Sequence, residues 1–315
     1  MISTIRVQTD GTAAIRERRS VRRYQRRRVP KDIVHHVARV GRHARPLYPE
    51  IGVRWYVVWE GSIVGERLGG LAGLYGLFTS APHYILAVSE ERPGYMENLG
   101  FCMQQLILTA TALGLGTCWI GEMYVENDLR DLVPDLAAGE RIVALTPLGY
   151  ADDSEPAMMV QHLVRWGTEG QGDRKPLHEL VSRDAWPIPW MSGLSHEDGH
   201  LERMLNLVRL APSWANVQPW HLIVDTFADD LQVIAAVDRT PTRGNVHEGK
   251  PYYRLDAGIA MYHLDLSARA LGWPSPQEAE VDRPPSWHVL RPRQQAQARA
   301  RYGIPDEYDV LGVFV

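Results

Sequence analysis

Eight arginines fall within thirteen residues, from Arg16-Glu17-Arg18-Arg19-Ser20-Val21-Arg22-Arg23 on through Arg26, Arg27 and Arg28. A planar guanidinium fork matches a phosphate dianion, and a hydroxyl such as that of Ser20 can complete the cradle. Two other readings stand beside it: a solvated basic face or oligomer salt-bridge surface, and a nucleic-acid contact. The nucleic-acid reading is the weaker one, because Tyr24 is the one interleaved aromatic and the chain as a whole carries a formal charge of -4.

A second candidate is Gly114-Leu115-Gly116-Thr117-Cys118-Trp119-Ile120-Gly121-Glu122. It fails as a dinucleotide fingerprint, since it follows a helix where that motif follows a strand, and its third glycine is misplaced. Its glycines do allow a flat ligand to approach the backbone closely, with amide N–H groups from Ile120 to Glu122 free to point at it; glycines that only turn the chain are the alternative. A third candidate, Ala211-Pro212-Ser213-Trp214-Ala215-Asn216-Val217-Gln218-Pro219-Trp220, gathers a hydroxyl, amides and aromatics in a loop between a helix and a strand. A plain turn with an asparagine cap is the alternative. His35, His36 and His43 make no metal set, because His35 and His36 face different sides of a helix and nothing joins the Asp32/His36 pair as a third ligand. Cys118 has no base partner in the sequence and is not expected to be a nucleophile.

These residues must be positioned by elements that hydrophobic patterning locates. Helices are expected from Thr12 to Arg18, from Pro30 or Lys31 to Gly41, from Met96 to Leu113, near Asp128 to Leu132, from Leu201 to Leu210 and from Ala257 to Leu271. Strands are expected at Val53–Trp59, His83–Val88, Ile142–Leu148, Trp220–Asp225, Leu231–Ala235 and Val310–Val315. Without regular βαβα alternation this predicts an α+β architecture. The uncharged stretch from Asn98 to Gly121 has the length of a membrane span, but it contains Gln104 and Gln105, is broken by Gly114 and Gly116, and lacks a basic flank. It reads as a buried central helix.

The pattern also repeats. A helix-length apolar stretch runs from Gly100 to Gly114 and another, of equal spacing, from Gly258 to Gly272; Trp55 and Trp220 each open a strand. Two copies of one unit are therefore expected, residues 1–184 and 195–315, with a Pro-containing linker at 185–194. With 315 residues, 45% hydrophobic and 23% charged, the composition excludes a disordered, collagenous or coiled-coil chain. Two cysteines exclude a disulfide framework and a four-cysteine zinc site and fit a reducing, cytoplasmic compartment; Met1 to Arg6 lacks the apolar core of a secretory signal.

Taken together, Ile15 to Arg22, Ala112 to Gly121, Pro147-Leu148-Gly149-Tyr150, Arg174-Lys175-Pro176-Leu177-His178-Glu179-Leu180-Val181 and Ala211 to Trp220 resemble the signatures of the nitroreductase family of FMN enzymes. The resemblance covers most of the chain. It implies an α+β fold that normally forms a homodimer, with FMN at the interface bound by both subunits. Arg18, Arg19 and Ser20 would then hold the phosphate and ribityl end with Arg174 or Lys175, and Arg22 would sit at the pyrimidine edge, where a fixed cation favours the reduced state. Pro212, Ser213, Trp214, Asn216 and Gln218 would approach from the second copy. Trp119, Ile120, Gly121 and Glu122 would line the ring, with backbone N–H groups near Gly121 and Glu122 donating to flavin N5.

The departures from the family pattern are complementary. The first copy has Ala44-Arg45-Pro46-Leu47-Tyr48-Pro49 in place of the Pro-Ser loop; the second lacks the Arg-Arg-Ser run and continues from Gly272 into Trp273-Pro274-Ser275-Pro276 without a glycine-rich turn. The chain thus resembles a fused pseudo-dimer, monomeric as a chain with further homo-oligomerisation left open, and with one composite FMN site. Its pseudo-symmetric counterpart would be filled by side chains such as Tyr48 or Trp273. The implied activity is ping-pong hydride transfer from NADH or NADPH to a nitroaromatic, quinone or other flat acceptor, with no metal and no protein nucleophile, and no nucleic-acid or membrane partner. Flavin sequestration, or a specialised flavin chemistry such as dehalogenation, ring oxidation or flavin breakdown, is the alternative.

Overall fold

The computed structural model describes residues 11–68, 81–121, 124–154, 174–191, 198–228, 231–240, 246–273 and 286–315. In chain order its elements are α1 (Gly11–Glu17), α2 (Lys31–Arg42), β1 (Val53–Val58), α3 (Gly61–Leu68), β2 (His83–Glu90), α4 (Tyr95–Ala112), β3 (Gly116–Thr117), β4 (Glu140–Gly149), α5 (Leu177–Leu180), β5 (Val181–Arg183), α6 (Asp198–Val208), β6 (Trp220–Asp225), β7 (Gln232–Asp238), β8 (Val246–His247), β9 (Lys250–Pro251), α7 (Tyr252–Leu271), β10 (Trp287–Val289), α8 (Pro292–Tyr302) and β11 (Tyr308–Phe314). This is the expected α+β fold.

One sheet has the order β1-β2-β4-β3 and the other β6-β7-β11-β10, with β5 added outside β6. Both four-strand sets are antiparallel throughout, and in both the long helix, α4 or α7, follows the second strand in the chain. The repeat read from the glycines is therefore also a repeat of topology. The exception is β5, which pairs in parallel with Leu222–Val224 of β6; the arm that follows the first sheet in sequence thus ends in the second sheet. The chain from Ala185 to Met191 stays on that sheet, with the Trp186 ring 4.0 Å from His221 and 4.6 Å from Tyr308.

Both sheets are covered on two faces, which is why their inner strands read as apolar runs. Side chains alternate along a strand: on β2, Ile85 and Ala87 enter the central core while Tyr84, Leu86 and Val88 enter a second cluster; on β7, Val233, Ala235 and Val237 face the centre while Ile234 and Ala236 face outward onto Tyr302 and Ile304. The central core is continuous through α4 and α7 into both units.

The two long helices touch backbone to backbone. A methyl at Gly100 would lie 2.2 Å from the Leu255 carbonyl oxygen, and one at Gly258 would lie 2.1 Å from that of Glu97. Each helix also stops at an equivalent residue in the left-handed region, Gly114 at φ 72° and Gly272 at φ 67°. No described helix is long and apolar enough to cross a membrane; the part of α4 from Asn98 onward, which carries no charge, is instead mostly buried in the core.

Boundaries differ from the sequence reading where tertiary contacts intervene. Helix α7 begins at Tyr252 rather than Ala257, because its first turn is polar and reaches across to the first unit. Helix α8 carries no hydrophobic period, and of its side chains Tyr302 alone is buried. The short helix near Asp128 is a 3₁₀ segment, Glu126–Leu132.

Candidate functional site

After α1 the chain runs extended beside the glycine-rich turn. Ser20 forms a parallel bridge with Thr117, and the Val21 N–H donates to the Thr117 carbonyl at 2.8 Å. A Cβ on Gly116 would meet the Val21 side chain at 2.8 Å, so the missing side chain is what lets the arginine segment lie this close. The arginine run then divides. Arg19 turns to solvent and pairs with Asp153, Arg28 pairs with Glu60, and Arg27 stacks 3.6 Å above the Tyr150 ring. Tyr24 is buried and donates to the Val21 carbonyl at 2.6 Å, which removes it as a platform for a base.

Arg18 remains inside. Burial first, and then the charges of Arg174 and Arg22, pull its guanidinium down to about 10. Its Nε is buried without a hydrogen-bond partner, and among the described residues neither Arg18 nor Arg174 has a carboxylate partner. Burial and the charge of Arg209 likewise push Arg174 down. Burying like charges together without a counter-ion is unfavourable.

Arg174 carries the connection to the second unit. Its Nη1 donates to the Ala211 carbonyl and to Asn216 Oδ1, both at 2.7 Å, and its Nη2 to the Leu210 carbonyl at 3.2 Å. Next to it the Lys175 N–H donates to Gln218 Oε1 at 3.0 Å and Lys175 Nζ to the Gln218 carbonyl at 3.3 Å. The Gln218 N–H donates to Ser213 Oγ at 2.9 Å, and Gln218 Nε2 to the Asn216 carbonyl at 2.9 Å. This bonding holds Ala215, Asn216 and Gln218 at φ 46°, 55° and 50°, the left-handed region that costs non-glycine residues roughly 1–2 kcal/mol each. Pro212 is buried, and Trp214 half-buried, in the same loop.

The glycine-rich turn differs from expectation in one respect. The Ile120 N–H is not free: it donates to the Leu145 carbonyl at 3.0 Å, and the Leu145 N–H donates back at 2.9 Å. Edge pairing with β4 satisfies that amide. Glu122 lies outside the described residues. Trp119 is half-buried, and its indole N–H points inward to Gln104 Oε1 at 3.1 Å.

Gln104 and His263 were not expected at the site. Gln104 Nε2 donates to His263 Nε2 at 2.9 Å, and His263 Nδ1 donates to the Leu207 carbonyl at 3.0 Å. Burial, helped by the charges of Arg18 and Arg174, takes His263 down to about 3, so the imidazole is neutral in this chain of bonds. The sequence signal was a polar residue on each central helix, Gln104 and His263, each set among apolar neighbours.

The first unit's counterpart of the Pro-Ser loop is different. Arg45 forms an ion pair with Asp265, which is fully buried and also pairs with Arg269. Tyr48 packs over Gly94 and donates its hydroxyl to Glu97 Oε1 at 3.0 Å, and Arg254 grips the same carboxylate at 2.6 and 3.0 Å. Trp273 lies elsewhere, stacked on Phe314 in the second unit.

The cations, the unsatisfied Nε of Arg18, the close approach at Gly116 and the bracing of Asn216 fit a flavin mononucleotide bound through its phosphate. A family model described as "Putative TM nitroreductase" matches residues 11–268. A Methanothermobacter thermautotrophicus protein named "Putative NADH dehydrogenase/NAD(P)H nitroreductase" is 25% identical over 148 residues, 45% of this chain and 77% of its own length. The crystal structure of a Thermotoga maritima protein described as a "putative nitroreductase", 18% identical, covers 100% of this chain and 97% of its own with a TM-score of 0.55, so the fold is shared. A Bacteroides fragilis nitroreductase solved with bound FMN is 19% identical over 47% of this chain and 91% of its own, with a TM-score of 0.38. With a match across most of its length, the chain belongs to the nitroreductase family that the model describes.

Proposed function

We propose that the chain is an FMN-dependent NAD(P)H oxidoreductase, a fused pseudo-dimer with one composite flavin site, reducing a nitroaromatic, quinone or similar flat acceptor. The observation that carries this reading is that Arg18 and Arg174 lie near enough to repel each other: one follows α1 of the first unit, the other braces the Asn216 loop of the second, and neither has a counter-ion among the described residues.

On this reading Arg18, Ser20 and Arg174 hold the phosphate end, whose charge offsets their mutual repulsion. Arg22 sits toward the pyrimidine edge and favours the reduced state. Pro212, Ser213, Trp214, Asn216 and Gln218 form the wall from the second unit, while Trp119 and Gly121 form the wall from the first. Lys175 braces the loop. Arg19 and the Ile120 amide take no part. FMN, when bound, supplies reversible two-electron hydride chemistry. The protein orients donor and acceptor and stabilises developing negative charge, in a compartment where buried Cys102 and Cys118 stay reduced.

The test is the spectrum of the purified chain with FMN, followed in a stopped-flow instrument on adding NADH or NADPH without oxygen. Bleaching, and recovery of colour on adding a quinone or nitroaromatic, is the expected result. Colour without bleaching points to a protein that holds flavin out of reach of a donor, and a chain that binds no FMN refutes the site.

A further inference from the structure

The turn after β3 is gripped from the other unit. Tyr252, the first residue of α7, is buried, and its hydroxyl lies within hydrogen-bond reach of the Gly121 carbonyl and of the Val143 carbonyl, the latter at 3.0 Å. Its ring occupies the space of a side chain at position 121: a Cβ there would sit 2.5 Å from the ring's Cε1. Two residues earlier, the fully buried Lys250 donates Nζ to the Ile142 carbonyl at 3.0 Å and pairs with Glu126 and Glu248, each at 3.2 Å.

Glu126 is held in turn by Arg141 at 2.7 Å and by the Ile142 N–H at 3.0 Å. The turn is therefore fixed at Ile120 by Leu145, at Gly121 by Tyr252 and at Glu126 by Lys250 and Arg141. Tyr252 and Lys250 belong to the second unit.

We propose that Tyr252 is a positioning residue of the flavin site: through the Gly121 carbonyl it fixes the backbone of the glycine-rich turn at Gly121, so that the second unit tunes the chemistry of a turn built by the first. This rests on the flavin reading above. The ring of Tyr252 fills the space that Gly121 leaves, and the hydroxyl sets the direction of the carbonyl.

The test is Tyr252→Phe in the full chain, which keeps the ring and removes the hydroxyl. Amide hydrogen exchange across residues 116–126, measured without NAD(P)H, is expected to speed up in the variant; unchanged exchange overturns the grip. With FMN bound, the variant is expected to keep its melting temperature and its FMN affinity within about threefold, while its midpoint potential shifts and reduction by NAD(P)H slows about tenfold, the size of one lost hydrogen bond. Unchanged potential and rate, or loss of the flavin itself, overturns the positioning role. Wild-type protein that binds no FMN refutes the flavin reading and this role with it, and the exchange comparison separates that outcome from a failure of the grip.

Discussion

Asn98 and Asp256 occupy the same place on opposite sides of the helix crossing, each two residues before the glycine at which α4 and α7 touch. Asn98 Oδ1 accepts the Tyr48 N–H at 2.9 Å, and Asp256 Oδ2 accepts the Trp214 N–H at 3.0 Å. The two units thus anchor their loops to their own long helices in the same way. The loops diverge only beyond the anchor, where one continues into the strained Ala215-to-Gln218 turn and the other into Pro49. The internal symmetry survives in the scaffold and is broken in these two loops.

The crossing leaves no room for a methyl on either side. Gly100→Ala and Gly258→Ala are each expected to lower the free energy of unfolding by about 3 kcal/mol or more, since a carbonyl of the opposite helix must move to make space. Urea unfolding measures this, and a loss below about 1 kcal/mol in both variants contradicts the backbone contact.

Loss of a charge-assisted contact is worth about 1.5–3 kcal/mol. Arg18→Ala and Arg174→Ala should therefore weaken FMN binding by about tenfold to a hundredfold while the protein stays folded. Arg19→Ala serves as the control: its pairing with Asp153 is solvent-exposed and worth at most about 1 kcal/mol, so flavin content should be close to that of wild type. Equal depletion in all three variants would argue for a diffuse electrostatic effect.

Stoichiometry tests the asymmetry. Arg45 and Arg269 already share the Asp265 carboxylate, and Tyr48 packs onto its own unit's long helix, so the counterpart position offers an anion nothing comparable to Arg18 and Arg174. Titration of apo-protein should saturate at one FMN per chain, with Arg18→Ala and Asn216→Ala weakening the same site from different halves. Two equivalent sites refute the composite arrangement.

Acid should destabilise the fold through two histidines. Burial takes His263 to about 3 and His221 to about 4, against an ordinary 6.5. Between those values and 6.5 the unfolded chain binds more protons than the folded one, so stability falls as pH drops through that window and is regained above it. Melting temperatures between pH 7 and 4.5 should show the decline. The slope should be shallower in His263→Gln, whatever that variant's stability at neutral pH; identical slopes exclude His263 as a contributor.

Much of the scaffold was legible because its signals are local. Apolar period and stop glycines mark α4 and α7, and apolar runs mark β2, β6 and β7. Helix α8 was missed although Pro292 opens it and Gly303 closes it, because its surface position demands no hydrophobic stripe. The 174–183 arm could not be assigned to a sheet from sequence, since the pairing of β5 with β6 depends on where the chain travels and not on what Val181 to Arg183 are.

The sequence by itself determined the α+β class, the repeat with its paired glycines, and the residue types a phosphate and a flat ring need. These follow from local propensity, periodicity and chemistry, which nearest neighbours in the chain already express. Only the tertiary structure decided which arginines pair with carboxylates at the surface and which do not among the described residues. Arg18 and Arg19 are adjacent and alike, yet one is half-buried and repelled by Arg174 while the other meets Asp153 at the surface. The same holds for Gln104, His263 and Tyr252, whose partners lie more than a hundred residues away or on the opposite unit. Burial and long-range partners set the charge and direction of these groups, and no stretch of sequence contains them.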